Sequence, residues 1–559
     1  MVSNEHIPFR RDLLLLFAAI GIFLCIGLGA RPYLTPSEAR YIELPRQMLA
    51  TGDWLTPRIN GVPYFEKPPL FYWMQAAVMA LFGPEEFAGR IVTVLLSTLT
   101  CLLTYAMGRL LYGRLSGLLA ASVLATSLMG YGLSRVATLD VPVSLFINAC
   151  IACFLAAQHT ESVSLKRTFY LLMYVASALA MMTKGLIGIV IPGMVIGAWI
   201  ATGNRWHILK EAQLIKGSII FLAITAPWHV LMARAHPDFL NFYFIHEHFT
   251  RFLTDEHKRT APWWFFIAVT WVGLLPWVLS PHLLRGPVLM GQTPQQVRGD
   301  RLFLLLWIVL PLLFFSSSHS KLLPYIFPIF LPLCIVIGNK LALFWNNILP
   351  MKSLRIDAWL AIAVFTLLLL ATQLLPVMPG KLGQKVSMVT SNISWVSLLP
   401  IFISLAWVAF CSVRAEAPRL ILSLMGVGIV TGISSNYIAA SLDTATIKPL
   451  ASLLSEQLQP DDMVVAYGSY WQDLPVYLNR NVTVAGWTGE LSFGFEHYPE
   501  THDWMIATDE FWQRCSASPH NVYVFIHDDT AQNLPAPEHC HLHIIGQYGK
   551  TLLMEKELP

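Results

Sequence analysis

Two stretches of this sequence concentrate side chains that bind anions, move protons or ligate metals. The first, residues 31–86, contains TPSEARYIELPRQMLATGDW and then PYFEKPPLFYW. Glu38, Arg40 and Tyr41 lie together at the start of a predicted short helix, which Glu43 and Gln47 continue at i,i+4 spacing. Pro63, Pro68 and Pro69 bracket Tyr64, Phe65, Glu66 and Lys67, so a carboxylate and an ammonium are presented from a stiffened backbone. Lys67 can meet a phosphate, and Glu66 can bind a metal or orient a substrate. The plainer reading is an interfacial segment with Phe71, Tyr72 and Trp73 as lipid-level anchors, so these aromatics are not assigned to catalysis.

The second stretch, residues 236–262, contains FYFIHEHFTRFLTDEHKRTAPWW. His246, Glu247, His248, Arg251 and His257 crowd together there. Imidazole and carboxylate are suitable zinc ligands. Histidines two apart point away from each other on a helix, so a metal held by His246 would need Glu66 from the other loop. Arg251 suits bidentate phosphate binding. Between the two stretches, Asp140 stands at the mouth of a predicted span and Lys184 in a tight connection, MTKGL; an Asp140–Lys184 ion pair is the plain reading. Lys321, Pro324 and Tyr325 open a later span.

These residues must be positioned by a membrane protein. Of 559 residues, 55% are hydrophobic and only 13% charged, with mean hydropathy +0.56. The apolar runs approach the ~20 residues that cross a bilayer as a helix. About thirteen spans are expected, beginning near Leu13, Ile91, Leu115, Val141, Phe169, Leu186, Ile215, Trp263, Leu302, Leu323, Ala358, Ile393 and Leu420. The first follows Arg10 and Arg11 and reads as an uncleaved span rather than a signal peptide. Short basic connections, among them Arg109 with Arg114, Lys166 with Arg167, and Arg414 with Arg419, fall on one side and are expected to be cytoplasmic. The opposite side receives both long loops and the tail. Arg40, Arg46, Lys67, Arg135, Lys184, Arg251 and Lys258 also lie there, against the charge rule, which suggests phosphate binding at the membrane surface. A net charge of +3 with no zinc-finger spacing or Walker loop gives no sign of nucleic acid or nucleotide as ligand.

Residues 1–440 are thus expected to form the transmembrane domain, and 441–559 a small α/β domain. In the latter, Ile447–Leu458 is predicted as helix, and Met463–Tyr467 and Val522–Ile526 as strands. Cys515 and Cys540 are the tail's only cysteines; on an oxidising face they could pair, though spacing alone does not establish it.

EARYIELPRQMLATGDW, YFEKPPLFYW, TLDVP, MTKG, HEHFTRF with HKRTAPWW, SKLLPY and the tail's QDLPVYLNRNVTVAGWTGELSFG occur in one order along the chain. Together they resemble the bacterial lipid A 4-amino-4-deoxy-L-arabinose transferase family, within the protein O-mannosyltransferase-like (GT-C) glycosyltransferases. The resemblance implies an inner-membrane, multi-pass enzyme with a periplasmic active site and C-terminus. Its donor would be an undecaprenyl-phosphate-linked sugar and its acceptor lipid A or another envelope glycan. By motif position, Lys67 and Arg251 would hold the carrier phosphate, and Arg40, Tyr41, Tyr64 and Tyr325 would line the site. Glu66 and His246 would bind a divalent metal such as zinc, while Asp140 and Lys184 would shape the cavity floor.

One departure matters. The superfamily's acidic pair before the Arg-Tyr is here Ser37-Glu38. A hydroxyl acceptor needs a base, for which Glu38 or Asp140 would remain; a phosphate acceptor needs none. On that second reading Ser37 is only a helix cap. A lipid-linked sugar transporter or flippase is the competing class, but repeated halves are not evident in the sequence.

Overall fold

The computed structural model describes residues 9–250, 261–277, 294–374, 393, 395–442, 445–535 and 540–557. The chain is mainly helical and divides into two compact units: Met1–Leu28 with Arg90–Leu442, and Gly29–Gly89 with Asp443–Pro559. The first long loop therefore shares a unit with the tail rather than with the helices that flank it in sequence.

In the helical unit, each position expected to begin a span lies in or next to a helix. Among the described residues, eight helices are long and apolar enough to cross a bilayer, or nine if the bent pair Arg114–Thr126 and Leu128–Ser134 is one span. Phe9–Cys25 has 17 residues, Ile187–Thr202 has 16 and Phe265–Gly273 has 9, too short to count by length. The helices pack closely where glycine removes the side chain. A Cβ on Gly117 would lie 2.5 Å from the Tyr105 carbonyl oxygen, and one on Gly338 would lie 2.5 Å from the Ala120 nitrogen. Lipid supplies no hydrophobic drive between helices, so such approach and the contacts it permits hold them together.

Polar groups close the ends of the first helix. At one end, Asp12 accepts hydrogen bonds from Tyr105, Arg109 and Arg114. At the other, Arg135 donates to the Leu24 and Ile26 carbonyls and Arg90 to that of Leu28. The helix-terminal carbonyls need such partners in a lipid setting. Arg135, which the charge rule grouped with phosphate-binding candidates, thus serves the backbone.

The second unit centres on a sheet in the order β5-β4-β3-β6-β8-β7. Its strands are β3 (Met463–Tyr467), β4 (Thr483–Ala485), β5 (Met505–Ile506), β6 (Val522–His527), β7 (Leu542–Tyr548) and β8 (Thr551–Lys556). The first four are parallel neighbours, and β8 pairs antiparallel with β6 and β7. Fully buried Val465, Phe511, Val524 and Ile526 build its core.

The first loop contributes a hairpin, β1 (Arg58–Ile59) and β2 (Val62–Pro63). Asn60 and Gly61 both have positive φ, as a two-residue type I′ turn requires. The Asn60 side chain donates to the Val482 carbonyl (2.8 Å) and accepts from its N–H (2.9 Å), and Trp504 Nε1 donates to the Asn60 carbonyl (2.7 Å). A side chain at Gly61 would run into the Trp504 ring at 2.7 Å. These contacts fasten the loop to the tail.

Cys515 and Cys540, both buried in the sheet's core, form a disulfide across a separation of 25 residues. Closing a loop of that size stabilises a domain by about 2–4 kcal/mol. Cys515→Ser with Cys540→Ser should lower the unit's resistance to thermal unfolding accordingly, without lowering helix content. Wild-type melting in the double variant would refute the estimate.

Candidate functional site

In the second unit, the helix Ala39–Thr51 carries Arg40, Tyr41, Glu43 and Arg46. Its N-cap is Glu38, with no side-chain cap; Ser37 lies exposed in the preceding turn, so the expected Ser37 cap does not form. Glu38 is fully buried, pairs with Arg31 at 3.3 Å and accepts the Leu34 N–H at 3.0 Å. Glu43 is also fully buried and binds Arg46 through two contacts of 2.6 and 2.8 Å. Asn481 of the tail accepts from Arg46 at 3.0 Å. Burial pulls the Arg46 pKa down, and the Glu43 carboxylate more than reverses this. Glu43–Arg46 is therefore a structural pair that ties the loop helix to the tail.

One turn earlier on the helix, Arg40 forms a two-pronged salt bridge with Glu490: Nε donates to Oε1 at 3.1 Å and an η nitrogen meets Oε2. Gln472 Nε2 donates to the same Glu490 Oε1 at 3.0 Å. Tyr64, Tyr41 and Glu66 lie close enough to act on Arg40 electrostatically. Burial lowers its pKa, and Tyr64, Glu490, Tyr41 and Glu66 together raise it well above the ordinary value. Burial likewise pushes Glu490 above the usual carboxylate range; Arg40 opposes that and Glu66 adds to it. Tyr41 stacks on Tyr72 with ring centroids 6.2 Å apart. Lys67, half-buried, follows Glu66 and donates to its carbonyl at 2.8 Å. The structure thus gathers Arg40, Tyr41, Tyr64 and Glu66, with Lys67 next in the chain, and adds Glu490 and Gln472. Those two were not singled out in the sequence, although both fall within the tail segment QDLPVYLNRNVTVAGWTGELSFG.

In the helical unit, Asp140 begins the helix Asp140–Gln158, Lys184 ends Val163–Lys184, and Tyr325 lies on the 3₁₀ stretch Leu323–Ile329. Lys184 pairs with Asp140, and its ammonium sits 4.7 Å from the centre of the Tyr325 ring, a cation–π contact. His246 lies on the π-helical stretch Asn241–Thr250, with its side chain outside the described part; Arg251 lies outside the described residues. Among the described residues, no three His, Cys, Asp or Glu side chains gather as a metal site.

Residues 66–231 match the family described as dolichyl-phosphate-mannose-protein mannosyltransferase, and residues 450–556 match the aminoarabinose transferase C-terminal domain. A protein of Sodalis glossinidius is 30% identical over 535 residues, covering 92% of this chain and 94% of its own; it is named undecaprenyl phosphate-α-4-amino-4-deoxy-L-arabinose arabinosyl transferase 2. The chain belongs to that arabinosyl transferase family. A second member, from Edwardsiella ictaluri, is 30% identical with 88% of each chain covered. The fold agrees with that of ArnT from Cupriavidus metallidurans, solved bound to undecaprenyl phosphate: TM-score 0.83, 24% identity and 97% of each chain covered. Like other members of the arabinosyl transferase family, the chain is a multi-pass membrane glycosyltransferase.

Proposed function

We propose that the protein transfers 4-amino-4-deoxy-L-arabinose, or a closely related sugar, from undecaprenyl phosphate to lipid A. The site and the tail lie on the periplasmic face of a bacterial inner membrane, and about thirteen helices cross it. Family membership and the basic short connections support this placement. The observation that carries the reading is the gathering of Tyr64 and Glu66 around the partly buried Arg40–Glu490 ion pair, with Lys67 next in the chain.

In the reaction an acceptor oxygen attacks the sugar's anomeric carbon, the bond to the carrier phosphate breaks, and its electron pair leaves on the phosphate oxygen. Lys67 and Arg251 neutralise the charge that builds there. Glu38 is engaged by Arg31 and Asp140 by Lys184. That supports an acceptor already ionised, a phosphate of lipid A, which needs no general base. Glu66 and His246 are the residues that would hold a divalent metal such as zinc, and no step here passes through one. If attack is base-free, Ser37→Asp should leave the rate from pH 5 to 9 within a few fold of wild type. A large gain would show that a base is limiting.

Mass spectrometry of lipid A with and without the gene tests the whole reading. An amino-pentose added to a lipid A phosphate is expected. Unchanged lipid A alongside a modified envelope glycan would reassign the acceptor. A C-terminal alkaline phosphatase fusion should be active; fluorescence from a C-terminal GFP instead would reverse the tail's placement.

A further inference from the structure

Asp473 is a buried carboxyl at the seam between the first loop and the tail. It precedes the short helix Leu474–Leu478 and is fully buried. Its Oδ2 accepts the Ile447 N–H at 3.0 Å and the Thr446 hydroxyl at 3.2 Å, both from the tail. Across the seam, the hydroxyl of Thr35 in the first loop lies close to the carboxyl. Among the described residues, neither Asp473 Oδ1 nor Thr35 Oγ1 completes a hydrogen bond of good geometry. Buried polar atoms are almost always satisfied. A proton on Oδ1 would make it a donor to Thr35; a carboxylate could instead accept from Thr35, so the charge balance decides.

The neighbouring cations are already engaged. On the helix Ala39–Thr51, which packs against Leu474–Leu478, Arg40 is held by Glu490 and Arg46 by Glu43, while Tyr41 stacks on Tyr72. On Lys448–Ser455, also packed there, Lys448 is held by Glu86. Arg31, just ahead of Thr35, pairs with Glu38, and Arg480 donates to the Gln459 and Asp462 carbonyls. The phenols Tyr470 and Tyr477 both feel Asp473. Among the described residues, no cation pairs with Asp473. Ionised, it would be a buried charge without a counter-charge, which is costly. Burial accordingly pushes its pKa up to about 6, against the hydrogen bonds from Ile447, Thr35, its own N–H and Thr446.

We propose that Asp473 is a proton-operated latch: protonated, it holds the first loop on the tail, and ionised, it loosens that hold. Arg40 meets Glu490 across the same seam, so the latch sets how much of the protein has the candidate site assembled. The docked state binds the proton more tightly than the undocked one, in which Asp473 meets water and titrates in the usual carboxylate range. Its contribution to docking is therefore complete below that range and is lost as pH rises through about 6.

The test is amide hydrogen exchange of residues 29–89 in the purified full-length protein at about pH 5 and about pH 7.5, for the wild type and for Asp473→Asn, a neutral group of the same shape. Comparing the two proteins at one pH cancels the chemical rate of exchange. At the lower pH their protection should agree within a few fold. At the higher pH the wild type should be about tenfold less protected than Asp473→Asn, the rise in undocked fraction expected from this group alone. Asp473→Ser, also neutral, should behave like Asp473→Asn and replaces it if the amide does not fit. The infrared band of a protonated buried carboxyl should be present in the wild type at the lower pH, fade towards the higher, and be missing from the variants. The same pH response in wild type and variants would assign it to another group and overturn the proposal. So would wild-type protection that does not fall with pH once chemical exchange is allowed for, or a carboxyl band that the substitutions leave in place.

Discussion

Lys67→Ala in the full-length protein should reduce kcat/KM for sugar transfer by about ten- to a hundredfold or more, with the melting temperature unchanged. The side chain is half-buried, and its ammonium donates to the carbonyl of Glu66, between Pro63 on one side and Pro68 and Pro69 on the other. Its position therefore depends little on its own charge. A charge-assisted hydrogen bond to a leaving phosphate contributes about 1.5–3 kcal/mol, and that contribution grows as the phosphate takes up charge in the transition state. Arg251→Ala should lose activity on the same scale. Lys67→Arg should recover part of it, since the charge returns in a different shape. Wild-type turnover by both alanine variants would remove the phosphate assignment.

The second large effect concerns stability rather than chemistry. Glu43→Ala should destabilise the second unit by about 3–5 kcal/mol, because it leaves the Arg46 guanidinium buried without its counter-charge. Arg46 is 5% exposed and Glu43 fully buried, and Glu43 also accepts from Gln47 (2.8 Å) and from the Asn60 N–H (3.2 Å). The variant should melt lower and be cut by protease in the loop. Adding Arg46→Met should restore much of the loss, since the stranded charge is then gone. A Glu43→Ala protein that melts like wild type would show that water reaches Arg46 and that the pair contributes little.

The grouping of polar residues within one short segment was legible in the sequence. Arg40, Tyr41, Tyr64, Glu66 and Lys67 sit within one loop; residue type pointed to a phosphate contact for Lys67 and a metal or substrate contact for Glu66, while Tyr41 and Tyr64 entered only through the family resemblance. The strand Met463–Tyr467 was equally legible, because a short apolar run bounded by turn residues has few alternatives. Glu490 and Gln472 were not. Glu490 meets Arg40 across 450 positions, and nothing local in GELSFG distinguishes its carboxylate from a surface one. Arg135 is a related case: the sequence shows a cation where the charge rule does not expect one, but not the helix carbonyls to which it donates. The two-residue strand Met505–Ile506 is too short for any periodic signal and exists because β4 lies beside it.

The division of the second unit between two distant stretches of chain governs when that unit can form. Its first part, Gly29–Gly89, is synthesised early, and Asp443–Pro559 only after the described helices of the helical unit. Until then Asn60 has no Val482 to pair with, Arg46 has no Asn481, and Arg40 has no Glu490. Contacts so far apart in sequence are slow to form and leave the earlier partner exposed while it waits. A chain cut short before Gln472 would therefore lack the partners of Asn60, Arg46 and Arg40, and its first long loop would have no folded half to dock on.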